Sequence, residues 1–427
     1  MNVLLQRILG RLVRVGNLTV TGPRGESHRF GDGSGQPVHM LIKTRRAERA
    51  ITFDATLAVP EGYMDGDVEI ANGDVFGLLR IAFQNMPDGM IDAAWTRAIE
   101  GLRIAFRRLQ QVNTAARARS NVERHYDLSG DLYRLFLDDD MQYSCAYFTE
   151  PDMTLEEAQL AKKAHIAAKL RLRPGQSVLD IGSGWGGLGL YLARTFEVQV
   201  LGVTLSSEQL AVATERAQAE GLESRVHFEI KDYRDLVERF DRIVSVGMFE
   251  HVGVNHYRTF FDTVAKRLKP DGVMVLHSIG RSWPPTATSA FTRKYIFPGG
   301  YIPALSEVLP AIEKSGLVVT DIEILRLHYA ETLKHWRERF QANRDKAKAI
   351  YDERFCRMWE FYLAGAEASF RWQDLMVFQI QLAHRNDALP ITRDYIGKCE
   401  KALAMHEMAH TAPSGKSSRK RKVADKD

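Results

Sequence analysis

The stretch Val178-Leu-Asp-Ile-Gly-Ser-Gly-Trp-Gly-Gly-Leu-Gly189 constrains this chain more than any other. Apolar residues ending at Asp180 predict a buried parallel strand, and the glycines after it predict a tight turn that opens a helix. Glycine lets backbone amides approach a ligand without a Cβ in the way. The spacing Gly182-x-Gly184-x-Gly186 is more compact than a dinucleotide fingerprint and requires no pyrophosphate cradle. It suits a nucleoside with a neutral or cationic substituent, such as S-adenosylmethionine. Alone, the same turn would also serve an ordinary βα connection.

What surrounds the turn narrows the choice. Residues 198–203, 226–230, 241–246 and 272–279 read as strands, with helices at 208–219 and 256–268. Such alternation predicts an α/β fold, a parallel sheet covered on both faces. Runs at 318–325 and 372–381 would close that sheet as an antiparallel pair, around a helical section at 331–369. Ligands of these sheets bind at the carboxyl ends of the strands. That rule lines up 180–186, 204–209, 232–233, 247–251 and 277–280 on one rim. The Pro- and Gly-rich segment 281–303 suits a lid over it.

A chain of 427 residues is long for one domain. Residues 1–110 read as a smaller α+β module, with β-rich runs at 18–21, 39–43 and 50–54 and a loop at 31–37. Residues 111–135 read as linker and helix, 136–410 as the α/β domain, and 411–427 as a disordered basic tail. In 2–14, Leu4, Leu5, Ile8, Leu9 and Leu12 share one helical face and Arg7, Arg11 and Arg14 the other. This helix either lies on phospholipid headgroups or docks on its own domain. No apolar run is long enough to span a bilayer, and no secretory signal is read at the N-terminus. Cys145, Cys356 and Cys399 are scattered, which fits a reducing cytoplasm and neither a disulfide framework nor a metal site. Residues 1–50 hold nine Lys/Arg against three acids, and 101–125 six against one. Basic blocks beside amphipathic stretches point to an anionic surface, whereas specific nucleic-acid binding lacks the interleaved aromatics it would need.

An acid at the end of the second strand ordinarily holds the ribose. Here Gly202-Val-Thr-Leu-Ser-Ser-Glu-Gln209 stands there, so Thr204 and Gln209 would supply the hydrogen bonds. Asp232, beside Tyr233, offers a carboxylate to the adenine amino group. Turn and cap chemistry accounts for Thr204 and Asp232 equally well.

Tyr143-Ser-Cys-Ala-Tyr, the glycine stretch, Gly202-Val-Thr-Leu-Ser and Val246-Gly-Met-Phe-Glu-His-Val-Gly253 resemble the cyclopropane-fatty-acyl-phospholipid synthases. His277-Ser-Ile-Gly, Lys294-Tyr-Ile-Phe-Pro-Gly-Gly and Trp336-Arg-Glu-Arg-Phe340 follow in the same order, so the resemblance covers roughly 121–383. It implies a Rossmann-like methyltransferase fold with a seven-stranded, mostly parallel sheet, preceded by a lipid-binding module. It implies methyl transfer from S-adenosyl-L-methionine to the cis alkene of phospholipid acyl chains, then ring closure through a carbocation. Bound bicarbonate would be the base, held by Cys145, Glu250, His277, Ile279 and Tyr329. The His277 imidazole, the Tyr329 hydroxyl and the Ile279 amide can donate to such an anion. Cys145 reads as a binding residue, since no charge partner for a thiolate stands beside it. Tyr143, Ser144, Gly182, Gly184, Thr204, Leu205 and Gln209 would contact the cofactor, with Asp180, Asp232 and Tyr233 beside them on the rim. Tyr143, Tyr147, Phe148, Phe249 and Tyr295 are candidates for cation–π stabilisation, and His251 reads as structural. The amphipathic residues 2–14, the arginines within 103–124 and the basic tail point to peripheral attachment to the inner membrane face, and the resemblance implies a homodimer. Open alternatives are a methyl- or methylene-branched product, a soluble small-molecule methyltransferase, and a lipid-binding scaffold without chemistry.

Overall fold

In a computed structural model the chain is described over residues 1–86 and 129–411. The readings of 87–128 and of the tail from 412 onward lie outside those residues.

The N-terminal module runs α1 (Val3–Leu12), β1 (Leu18–Thr21), β2 (Ser27–Phe30), β3 (Val38–Ile42), α2 (Arg45–Asp65), β4 (Val68–Asn72) and α3 (Val75–Gln84). Its four strands lie in the order β2-β1-β3-β4. The β-branched run Ala50-Ile-Thr-Phe-Asp, read above as a strand, is helical. Thr44 caps the start of α2 by accepting from the Ala47 amide, and Ala47, Glu48, Ile51 and Thr52 are buried at helical spacing. The helix is kinked where Asp54 leaves helical geometry (φ −145°, ψ 76°). The apolar face of α1 packs inward, with Leu5 buried and Leu9 and Leu12 against the module's core. Of the two readings of this helix, its leucine face therefore docks on its own domain.

The larger unit runs α4 (Gly130–Arg134), α5 (Leu155–Leu170), β5 (Ser177–Ile181), α6 (Gly187–Phe196), β6 (Gln199–Thr204), α7 (Ser207–Ala219), β7 (Val226–Ile230) and β8 (Phe240–Val246). It continues with α8 (Tyr257–Arg267), β9 (Leu268–Arg281), α9 (Leu305–Ser315), β10 (Val318–Leu325), α10 (His328–Ala342), α11 (Arg344–Ile350), α12 (Glu353–Trp372), β11 (Leu375–Ala383) and α13 (Asp394–Thr411). The sheet order is β10-β11-β9-β8-β5-β6-β7. β11 is antiparallel to both its neighbours and the other pairs are parallel, which is the predicted α/β architecture. The helical section after β10 is three helices, because Asn343 and Tyr351 leave helical geometry and Asp352 is extended. Helix α9, its apolar Val308, Ala311 and Ile312 buried, was not foreseen from the sequence. Pro310 inside it and the Pro-rich approach mask its period.

The two units share a core. Met64, Val75 and Leu79 pack into the cluster that holds Trp336, Trp359 and Phe370. Tyr63 Oη donates to Glu360 at 3.0 Å, and Arg354 Nε to Asp65 at 2.8 Å. In the 281–303 segment, Lys294 and Tyr295 both donate to Glu61 of α2, at 2.6 and 2.8 Å. The segment thus bridges the sheet rim and the N-terminal module.

Candidate active site

The turn after β5 has Gly182, Gly184 and Gly186 at φ of 82°, 55° and 84°. A Cβ on Gly182 would stand 2.7 Å from Met248 Cβ, so that position excludes any side chain. At Gly184 a Cβ would meet nothing within 4 Å, because the backbone faces open space. That space is a cavity of about 160 Å³ at the carboxyl ends of β5, β6 and β8. All ten residues expected to contact the cofactor line it: Tyr143, Ser144, Asp180, Gly182, Gly184, Thr204, Leu205, Gln209, Asp232 and Tyr233.

Their chemistry fits a nucleoside. Asp180 is buried, with Oδ2 lacking any hydrogen-bond partner, and burial pushes its pKa up to about 7. A buried carboxylate left unmet is costly, so this one awaits a donor. Thr204 Oγ1 donates to Gln209 Oε1 at 2.8 Å, which leaves Gln209 its amide NH₂ to offer. Asp232 is held by Arg234 through two contacts of 2.8 and 2.6 Å, so it reaches the cavity as half of an ion pair.

A second cavity, about 450 Å³, lies against the first. Cys145, Glu250, His277, Ile279 and Tyr329, from four separate segments, all line it. Tyr143, Ser144, Gly247 and His251 line both cavities and form their common wall. From there the second cavity continues past Phe291, Phe361 and Phe370 and between the helices of the N-terminal module, to Leu5, Ile8, Leu12 and Phe53. Its walls are overwhelmingly apolar, the shape and lining of a hydrocarbon chain.

At the reactive end, Glu250 Oε1 accepts from the Ile279 amide at 2.6 Å, while its Oε2 is buried without a partner. Burial lifts Glu250 to about 7, so this carboxyl can hold a proton near neutrality. Burial also keeps His277 well below the usual histidine range, hence neutral. Cys145 is fully buried and its thiol is pushed up, with Sγ donating to the Ala146 carbonyl at 3.3 Å. It is no thiolate nucleophile. One expectation changes in detail: the Ile279 amide is engaged by Glu250, and it could face an anion only if that carboxyl turned.

The aromatic candidates need a larger correction. Of the five, only Tyr143 lines the second cavity. Tyr147 stacks between His165 and His328, Phe148 lies over His335, and Phe249 packs with Tyr257 and Phe260 on the other side of the sheet. Tyr295 is turned outward to Glu61. The aromatic lining comes instead from Phe291, Phe297, Tyr301, Tyr329, Tyr362 and Phe370.

Sequence reading also missed what supports the wall. Buried Lys162 on α5 donates to Gln142 and, at 2.9 Å, to Ser144 Oγ. Gln159, one turn earlier, donates to the Ser144 carbonyl at 2.9 Å. An ammonium only donates, so Ser144 must accept from Lys162 and its own proton is free for a ligand. Nothing local in the sequence marks Gln159 and Lys162 for this role, because their partners lie in the loop before the helix. His251, taken as structural, stands in the shared wall, and burial drops its pKa to about 4.

The model of the family "Mycolic acid cyclopropane synthetase" matches residues 113–380, more than half the chain. The chain belongs to this family. It is an S-adenosylmethionine-dependent enzyme of the methyltransferase class, with the Rossmann-like fold the strand order shows. Among relatives of this cyclopropane synthase family member is a "Probable fatty acid methyltransferase" of Pseudomonas putida, 37% identical over 86% of this chain and 94% of the relative. The "Cyclopropane-fatty-acyl-phospholipid synthase" of Escherichia coli K12 is 40% identical over 81% of this chain and 87% of its own. Among solved structures, mycolic acid cyclopropane synthase CmaA1 complexed with SAH and CTAB aligns with a TM-score of 0.59 at 36% identity. That alignment covers 62% of this chain and 97% of the other.

Proposed function

We propose that this enzyme transfers a methylene unit from S-adenosylmethionine to the cis double bond of unsaturated acyl chains in membrane phospholipids, forming cyclopropane fatty acids. The observation that carries the reading is the common wall: a nucleoside-sized hollow abuts an acyl-sized apolar one at Tyr143, Ser144, Gly247 and His251. When bound, the cofactor supplies a methyl group activated by its sulfonium. An alkene is a weak nucleophile, and positive charge on the acyl chain must be stabilised without water. Tyr143 and Tyr329 line that end of the cavity, and desolvated cation–π contacts contribute about 2 kcal/mol. Cys145, Glu250, His277 and Tyr329 would hold a bicarbonate ion, which supplies a base. A Glu250 carboxyl that burial lets hold its proton near neutrality lessens the like-charge conflict with that ion.

The test is incubation of the purified enzyme with methyl-labelled donor and an unsaturated phospholipid. We expect a gain of one methylene per double bond, with the upfield ring protons of a cyclopropane in the NMR spectrum of the product esters. Unaltered lipid would sink the reading. Retained olefinic protons at the same mass gain would establish the second reading, a methyl- or methylene-branched chain. The name of the Pseudomonas relative favours that reading.

We further propose that the enzyme sits peripherally on the cytoplasmic membrane face through the mouth of its acyl cavity. No helix among the described residues is long and apolar enough to cross a membrane. Phe53, at the α2 kink, is 62% exposed and yet lines the cavity. Val3 and Leu4 are exposed beside Arg7 and Arg11 on the outer face of α1, and Arg45, Arg46 and Arg49 are exposed on α2. Each basic side chain near an anionic leaflet contributes roughly 1 kcal/mol. Replacing Arg7, Arg11 and Arg49 with Gln should therefore weaken sedimentation with anionic vesicles on the order of 100-fold at low salt. Turnover of detergent-dispersed lipid should stay unchanged. Undiminished vesicle binding would mean the enzyme attaches elsewhere.

A further inference from the structure

His277 and Gln379 face each other across the sheet. They are directly opposed in the antiparallel register of β9 and β11. Both are buried, and Gln379 Nε2 lies 3.1 Å from His277 Nδ1. A buried glutamine between Phe378 and Ile380, in the middle of an apolar strand, is costly unless its amide is used.

The direction of this hydrogen bond decides which nitrogen of the ring carries the proton. An amide nitrogen only donates, so Nδ1 must accept with its lone pair. A neutral imidazole that accepts at Nδ1 carries its single proton on Nε2. The opposite amide orientation would make Nδ1 the donor, but the structure disfavours it. Gln379 Oε1 has no hydrogen-bond partner where it stands. Turning the amide would put two unmet N–H donors in that place of one unmet carbonyl oxygen, and buried donors are the rarer orphans. Neutrality itself has a cause in the surroundings: burial first, then the positive charge of Lys162 and Lys169 on α5 and the nearby His165.

We propose that Gln379 is a positioning residue that fixes the tautomer of His277, so that a proton on Nε2 is presented to the apolar cavity for a small oxyanion to accept. This rests on the role given to His277 above and adds what makes that role possible. Free imidazole exchanges between tautomers, and a ring with its lone pair toward the cavity would repel the anion.

The experiment is ring ¹⁵N NMR of histidine-labelled enzyme, with the His277 signals assigned by their loss in His277→Gln. The wild type should show a protonated Nε2 and an accepting Nδ1. Gln379→Glu places a carboxylate where the donor stood and should move the proton to Nδ1, with kcat falling about 100-fold and the KM for the methyl donor unchanged. Gln379→Met, similar in volume, guards against misfolding: it should leave mixed tautomers and lower kcat about tenfold. A wild-type ring protonated on Nδ1, or a Gln379→Glu enzyme with tautomer and kcat unaltered, overturns the proposal. The two layers fail separately: an Nε2–H ring together with a fully active His277→Gln would overturn the role of His277 itself.

Discussion

Gly184→Asp should cost the enzyme its methyl donor while leaving its fold intact. Aspartate is among the few residues that adopt left-handed backbone readily, so φ of 55° is little obstacle to it. The added Cβ meets no atom within 4 Å, so the chain elsewhere has nothing to rearrange. What the side chain does meet is the cavity of about 160 Å³, which it enters from the turn. It also brings a second carboxylate near Asp180, already pushed to about 7 by burial. Loss of volume and close backbone approach together should weaken binding of S-adenosylhomocysteine on the order of 100-fold, or about 3 kcal/mol by titration calorimetry. Gly182→Ala is the contrasting control. There the new methyl stands against Met248, and the expected effect is a lower thermal midpoint. Donor affinity surviving in Gly184→Asp would remove the donor from this hollow.

How far the sequence carried this reading depends on the range of each contact. The cofactor hollow was legible because its parts are local. Strand, turn and helix follow one another at Val178–Gly189, and the strand-end rule brings Thr204, Asp232 and Gly247 to the same rim. The convergence of Cys145, Glu250, His277 and Tyr329 came only through family resemblance, since no spacing in a single chain brings four distant segments together. The aromatic lining failed for a related reason. Tyr147 and Phe148 sit next to Cys145 in sequence, but the Phe148 amide donates to His328 Nδ1 at 3.0 Å and turns both rings away. Gln379 and Lys162 were illegible in another sense. Gln379 is a polar residue in a run read as a strand, with its partner 102 residues away, and the partners of Lys162 lie in the loop before its helix. The run Ala50–Asp54 misled because β-branched residues favour strands locally, whereas burial against β3 and β4 set the helix.

Glu250→Gln should make the protein more stable and the enzyme nearly inert, and the stability gain should depend on pH in one direction only. The carboxyl ordinarily titrates near 4.5 and in the folded chain near 7, so the folded state binds its proton more tightly. Below the lower value both states are protonated and nothing distinguishes them. As pH rises through the window, the unfolded chain sheds its proton first, and the stability this group lends the native state is lost by about pH 7. A shift of that size corresponds to about 3 kcal/mol. Glutamine has the same shape, stays neutral, and keeps an oxygen for the Ile279 amide at 2.6 Å. Its advantage over the wild type in urea unfolding should be under ~1 kcal/mol at about pH 5 and close to 3 kcal/mol at about pH 8. Turnover should fall by roughly 10²- to 10⁴-fold, the usual worth of a positioned proton-transfer group. An equal stability gap at both pH values would mean that Glu250 is ionised throughout, and a charged carboxylate could not share its cavity with a second anion. Retained turnover would take the residue out of the chemistry altogether. If both effects appear, the energy stored in this unmet carboxyl is what the active site sets against the reaction it carries out.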